Sequence, residues 1–122
     1  MTKIVSVCVF MLIGVACCSP QDVTRGSWLL TSCQLAVKTI DDSTFTESAF
    51  EAYRDGLCRG LIHGISDVSP KVCAGEDVTY GQEVRVVFKY LQDHPEELDQ
   101  KSSRLVEKAL AKAFPCSKKV DN

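Results

Sequence analysis

Residues 28–68 read WLLTSCQLAVKTIDDSTFTESAFEAYRDGLCRGLIHGISDV, and their periodicity decides the fold class. Leu29, Leu30, Cys33, Ala36, Val37 and Ile40 recur at steps of three and four, one apolar stripe along about three helical turns. Asp41-Asp42-Ser43 then interrupts the stripe with turn-forming side chains. Thr44 with Glu47, or Ser48 with Glu51, offers a capping box, in which hydroxyl and carboxylate each accept from the other residue's backbone N–H. A second stripe follows in Phe50, Tyr53, Leu57, Leu61, Ile65 and Val68, read as the core-facing side of a helix that Ser69-Pro70 stops. If the chain turns back near residue 45, Cys33 lies about 12 residues before the turn and Cys58 about 13 after it. An antiparallel hairpin then brings the two sulfurs to one level.

Downstream, residues 71–78 form a loop carrying Cys73 and Gly75, and Thr79 with Gln82 caps a third helix marked by Val84, Val87, Phe88 and Leu91. Val84, Val86, Phe88 and Tyr90 also alternate like a strand. The capping box before them and His94-Pro95 after them favour the helix, since proline suits the first turn of the next one. That last helix is expected to open on Glu96 and Glu97, where its dipole favours anions, and to carry the last apolar stripe, Leu98, Leu105, Val106, Ala109, Leu110 and Ala113. Phe114-Pro115 ends it. With a turn at 94–95, Cys73 and Cys116 each lie about 21 residues away from it. The expected fold is all-α: a small bundle of four helices in two hairpins, stapled by Cys33–Cys58 and Cys73–Cys116. Four cysteines permit three pairings, and Cys58–Cys73, the closest pair in sequence, is the main rival.

Upstream, Met1–Cys18 reads MTKIVSVCVFMLIGVACC. Lys3 precedes an apolar run, Ile4–Val15, that is too short for a bilayer, which takes about 20 residues. Small residues follow at Gly14, Ala16 and Cys18, and Pro20 breaks any continuing helix. This is the pattern of a secretory signal peptide over residues 1–18. Gly14-Val15-Ala16-Cys17 also approximates a lipobox, so a membrane tether by lipidation at Cys17 is the alternative. The chain has 122 residues, 45% hydrophobic and 25% charged, which fits one ordinary globular domain. Of its seven cysteines, three fall in the leader. The other four form an even set suited to an oxidising compartment. Removing the leader takes away Lys3 and leaves the mature chain one unit more negative than the full chain's −2. That balance argues against a nucleic-acid partner, which selects for clustered cations. Residues 19–25 read as a polar lead, 26–116 as the helical domain and 117–122 as a flexible tail.

The residues for catalysis or metal binding are sparse. Cys58, His63 and Cys73 lie near one another in sequence but lack Cys-x-x-Cys or His-x-x-x-His spacing. Each of the four cysteines has an expected disulfide partner, which leaves no thiolate nucleophile. Gly64-Ile65-Ser66-Asp67 is not a Gly-x-Ser-x-Gly motif, and no glycine loop suits a phosphate. Turns and helix starts account for Asp41, Asp42, Glu96 and Glu97. The expectation is a binding protein without catalysis or cofactor. Trp28 is assigned to the core, while Tyr80 and Tyr90 stand between core filling and partner contact. Gly60 and Gly64, four apart on one face, read as a point of close helix approach, with a partner groove as the alternative.

Six segments carry a resemblance: Trp28-Leu29-Leu30-x-x-Cys33; Cys58-x-Gly60-x-Ile62-x-Gly64-x-x-Asp67; the lone Cys73; Val78-Thr79-x-Gly81-Gln82; Val86-Val87-x-Lys89-Tyr90-Leu91-x-x-His94-Pro95-Glu96-x-Leu98; and Leu105-Val106-x-x-Ala109-Leu110-x-x-Ala113-Phe114-Pro115-Cys116. In this order, over about residues 26–116, they resemble the Rap/Tai family of type VI secretion immunity proteins. The chain departs from the family pattern at Gly60-Leu61-Ile62, where Gly-Tyr-Ile is frequent, and at Ala74-Gly75, where a proline is frequent. The resemblance implies a small helical protein of the Gram-negative periplasm that binds and blocks a peptidoglycan amidase effector, with no cofactor. For such a steric inhibitor the expected contact regions are the loops 69–79 and 92–97, with Lys71, Glu76, Asp77, Tyr80, Asp93, His94 and Glu96. Their acids would steer encounter with a basic partner face. A homodimer is a further option. The rival function is a periplasmic acid-stress chaperone of the HdeA type, which exposes apolar surface on acidification.

Overall fold

The computed structural model describes residues 22–117. The expected leader at 1–18 and most of the tail after Cys116 lie outside the described residues. The chain folds as α1 (Gly26–Asp41), α2 (Ala49–Val68), α3 (Tyr80–Asp93), a 3-10 turn (Pro95–Glu97) and α4 (Ser102–Ala113). Among the described residues there is no strand, and the alternating residues 84–90 are helical. Two isolated β-bridges, Arg25 to Lys101 and Val72 to Pro115, tie loop ends together.

Local chemistry sets the helix starts. Ser48 Oγ accepts from the Glu51 N–H, and the Glu51 carboxylate accepts from the Ser48 N–H at 2.9 Å. Thr79 and Gln82 form the same reciprocal pair. The other candidate cap goes unused. Thr44 donates twice to Asp42 Oδ1 in the turn, and Glu47 accepts from the Thr39 hydroxyl.

One core joins the four helices. It takes Leu29, Cys33 and Ala36 from α1, Cys58 and Ile62 from α2, and Val84, Val87, Tyr90 and Leu91 from α3. Leu105, Val106, Ala109 and Leu110 come from α4, with Val72 from the loop. Both disulfides pair as the hairpin arithmetic expects, Cys33–Cys58 across α1 and α2 and Cys73–Cys116 across the far ends of the second hairpin. The first lies wholly in the core, whereas Cys73 is exposed. They span 25 and 43 residues, so restricting the unfolded chain is worth roughly 3.5 and 4 kcal/mol.

Four expectations need correction. The last helix starts at Ser102, not at Pro95, because the intervening carbonyls serve α1 instead. Leu98 and Gln100 accept from the otherwise unsatisfied N–H groups of Ser27 and Gly26 at 3.0 Å each. Gly60 and Gly64 are not a close approach, since a Cβ at either would meet nothing within 4 Å. The tight glycine is Gly26, pressed against Leu98 and Leu105. Trp28 is half-buried and outside the core. Finally, the second stripe faces inward only in part, through Leu61 and Ile65, which pack against the core. The buried residues of α2 are Asp55, Cys58 and Ile62, while Phe50, Tyr53, Leu57 and Val68 are exposed. At 100° per residue Cys58 and Ile62 sit about a quarter turn from the Phe50–Leu57–Val68 line. The disulfide rotates α2 so that Cys58, not Leu57, points at α1.

A candidate protein-docking face

The rotation of α2 leaves a large apolar strip in solvent. Phe50 is 61% exposed, Tyr53 56%, Leu57 36% and Val68 79%, all on one line of the helix. Arg54 is held beside that line. Its guanidinium lies 5.4 Å from the Trp28 ring centre and 5.9 Å from that of Phe50. It also donates to the hydroxyls of Ser32 and Thr31 on α1. Trp28, at the first turn of α1, thereby becomes one wall of a groove.

That groove holds about 460 Å³ between Val23, Trp28, Tyr53, Leu57, Leu61 and Ser102. A second depression, edged by Ile65, Val68, Lys71 and Arg104, continues from it and shares Lys101 and Ser103. The floor at this junction is the N-terminus of α4. Lys101 stands at the cap position without a side-chain cap, and no acid occupies the first turn. Ser102 is 4% exposed, and its hydroxyl has no hydrogen-bond partner among the described residues. Arg54, Lys101 and Arg104 form no ion pair among the described residues either.

Of the residues expected to make contact, Lys71 edges the second depression and the others lie elsewhere. Glu76, Asp77 and Tyr80 sit at the start of α3, and Asp93, His94 and Glu96 at its end, roughly 21 Å apart for a 14-residue helix. The structure does not bring the two groups together. Most are also paired internally. Lys71 bridges to Glu107 at 2.9 Å, Asp93 to Lys89 at 3.0 Å, and His94 to Glu96 at 3.1 Å. The Lys71 ammonium, followed by the Ser69 hydroxyl, holds the Glu107 carboxyl below the usual glutamate range. Tyr80 is exposed and lies against His63. Tyr90 is a core residue whose hydroxyl donates to Glu97 at 2.9 Å. Burial foremost, then that carboxylate, raises the Tyr90 pKa. The Lys108 ammonium, followed by Tyr90, depresses that of Glu97. His94, Glu96 and Glu97 place one possible metal-ligating atom each within 4.8 Å of one another. Glu97 is already committed to Lys108 and Tyr90, so the trio is explained by its own ion pairs.

Sequence reasoning did find the residues of the α2 strip, but assigned them to the core. Arg54, Lys101 and Arg104 it passed over, and only the tertiary fold sets those cations along one face. No helix of the described residues is long and apolar enough to cross a membrane. No curated protein matches the chain. The family model described as Rap1a immunity proteins matches residues 25–116. That span takes in all four helices, both disulfides and nearly all of the exposed face, and the chain belongs to the Rap1a immunity protein family.

Proposed function

We propose that this chain is an exported immunity protein that binds a type VI secreted peptidoglycan amidase and blocks it sterically in the periplasm. Family membership over residues 25–116 carries the reading. The chemistry of the chain supports it. Two disulfides suit a compartment outside the reducing cytosol, which is where an enzyme that cuts peptidoglycan does harm. A body stapled in this way loses little conformational freedom on association, so more of the contact energy survives as affinity.

Co-expression of the full chain with periplasmically targeted type VI amidases tests the reading. Growth rescue against at least one of them, with a complex that copurifies, is the expected result. A version lacking residues 1–18 should fail to protect. If the chain rescues cells from no amidase and captures no cell-wall hydrolase, the target is wrong. Full protection by the leaderless version overturns the periplasmic placement.

A further inference from the structure

We propose that the toxin docks on the outer face of α2. It sets an apolar side chain into the groove between Trp28, Tyr53 and Leu57, and a carboxylate against the first turn of α4. This rests on the immunity reading, since the occupant is the toxin itself. The apolar half of the argument is the strip Phe50, Tyr53, Leu57 and Val68, which keeps helical spacing along α2 yet lies outside the core. A concave site of about 460 Å³ suits one projecting side chain.

The polar half is charge. The chain carries a net −2, but the cations bordering this face, Arg54, Lys101 and Arg104, are unpaired among the described residues. Beside them α4 has no side-chain cap: Ser102 N–H donates to the Thr24 carbonyl and the Arg104 and Leu105 N–H groups to that of Lys101, so the Ser103 N–H and the helix dipole remain to favour an anion. The Ser102 hydroxyl, buried in the groove wall, lacks an acceptor. A group left unsatisfied in this way costs stability until it gains a partner. The complementary surface is therefore an apolar projection flanked by Asp or Glu. A second copy of this chain is a weaker match, because the acids bordering its own copy of this face, Asp22 and Glu107, are already held by Arg25 and Lys71. A flat anionic bilayer would leave the groove unfilled.

The test titrates the exported chain calorimetrically against purified type VI amidases, at two salt concentrations. Leu57→Glu should weaken binding by about 100-fold or more, as a charge in a desolvated anchor pocket does. Lys101→Glu with Arg104→Glu should weaken it about 10-fold, mainly through the association rate, and reduce the salt dependence. Tyr80→Ala with Glu96→Gln should stay within about twofold. All substituted positions are wholly or partly exposed, and melting temperatures check that each variant folds. If the wild type binds no amidase, the immunity reading falls and this proposal with it. If the wild type binds and the α2-face variants bind equally well, only the docking site is wrong. Loss of binding in the Tyr80/Glu96 variant alone returns the contact to the loops. A wild-type dimer that Leu57→Glu dissociates in the ultracentrifuge gives the face to a second copy. Co-sedimentation with phosphatidylglycerol vesicles that Leu57→Glu abolishes gives it to a membrane. Each of these last three outcomes overturns the proposal.

Discussion

Replacing Gly26 with alanine places a Cβ within van der Waals overlap of the Leu105 Cδ1 methyl and 3.2 Å from both the Cα and the carbonyl oxygen of Leu98. Leu105 is 0% exposed, so its methyl has nowhere to retreat without moving the core. The backbone cannot slide away cheaply either. Gly26 and Ser27 donate to Gln100 and Leu98 at 3.0 Å each, and those bonds fix the start of α1 against the approach to α4. Overpacking of this kind costs about 1–3 kcal/mol. At roughly 4–8 °C per kcal/mol for a domain of this size, the melting temperature should fall by about 5–20 °C. Gly60→Ala and Gly64→Ala should act in the opposite direction. Each added Cβ meets nothing within 4 Å, and both sites are inside α2. Alanine is favoured over glycine there by about 0.8–1.0 kcal/mol, so each variant should melt a few degrees higher. Thermal unfolding followed by far-ultraviolet circular dichroism reads all three. A Gly26→Ala protein as stable as the wild type would show that α1 can shift away from Leu98. A destabilised Gly60→Ala would show that this side of α2 is packed.

The two disulfides should reduce in order: graded dithiothreitol followed by alkylation and mass spectrometry is expected to label Cys73 and Cys116 before Cys33 and Cys58, whose side chains are 0% exposed. Simultaneous Cys33→Ser and Cys58→Ser should cost at least about 3 kcal/mol in denaturant unfolding, from lost loop restriction and two buried hydroxyls. Glu97 and Glu107 are held below the usual 4.5, chiefly by Lys108 and Lys71, so their stabilising contribution is present above that value and lost as the pH falls through the depressed folded-state value. The melting temperature should therefore drop below about pH 4.5, and Glu97→Gln should flatten the drop; an unchanged acid profile would rule out Glu97 as a contributor. Tyr90→Phe, which removes the hydroxyl donating to Glu97, should cost about 1–2 kcal/mol, and a neutral result would mean that Lys108 alone satisfies the carboxylate.

The fold was legible because local rules and covalent arithmetic agree. Ser48 with Glu51 and Thr79 with Gln82 mark helix starts by chemistry that operates within four residues. The cysteine distances from each turn then select one pairing out of three. The start of α4 was not legible, for a tertiary reason. Pro95-Glu96-Glu97 carries the signature of a helix N-terminus and does form one turn of 3-10 helix. Leu98 and Gln100 then turn their carbonyls to α1, a demand set by residues about seventy positions away.

The face of α2 was misread for a more general reason. A stripe at helical spacing establishes that one side of a helix is apolar, but it does not say what covers that side. In α2 two apolar lines lie about a quarter turn apart, Phe50–Tyr53–Leu57–Val68 and Cys58–Ile62, with Leu61 and Ile65 between them. Counting favours the longer line. The Cys33–Cys58 bond settles the rotation in favour of the shorter one, because a 5.2 Å Cα–Cα link to α1 leaves Leu57 pointing sideways. The longer line keeps large apolar side chains that the monomer does not bury, as the proposed docking site requires. The glycines confirm the geometry from the other side. Gly56 and Gly60 lie on the flank of α2 beyond the apolar strip and Gly64 lies within it, and a Cβ at any of the three would meet nothing within 4 Å. With the toxin docked as proposed, these glycines would leave room for its backbone close to α2 on that side. The opposite flank, with Trp28, Lys101 and Arg104, supplies the groove and the charge.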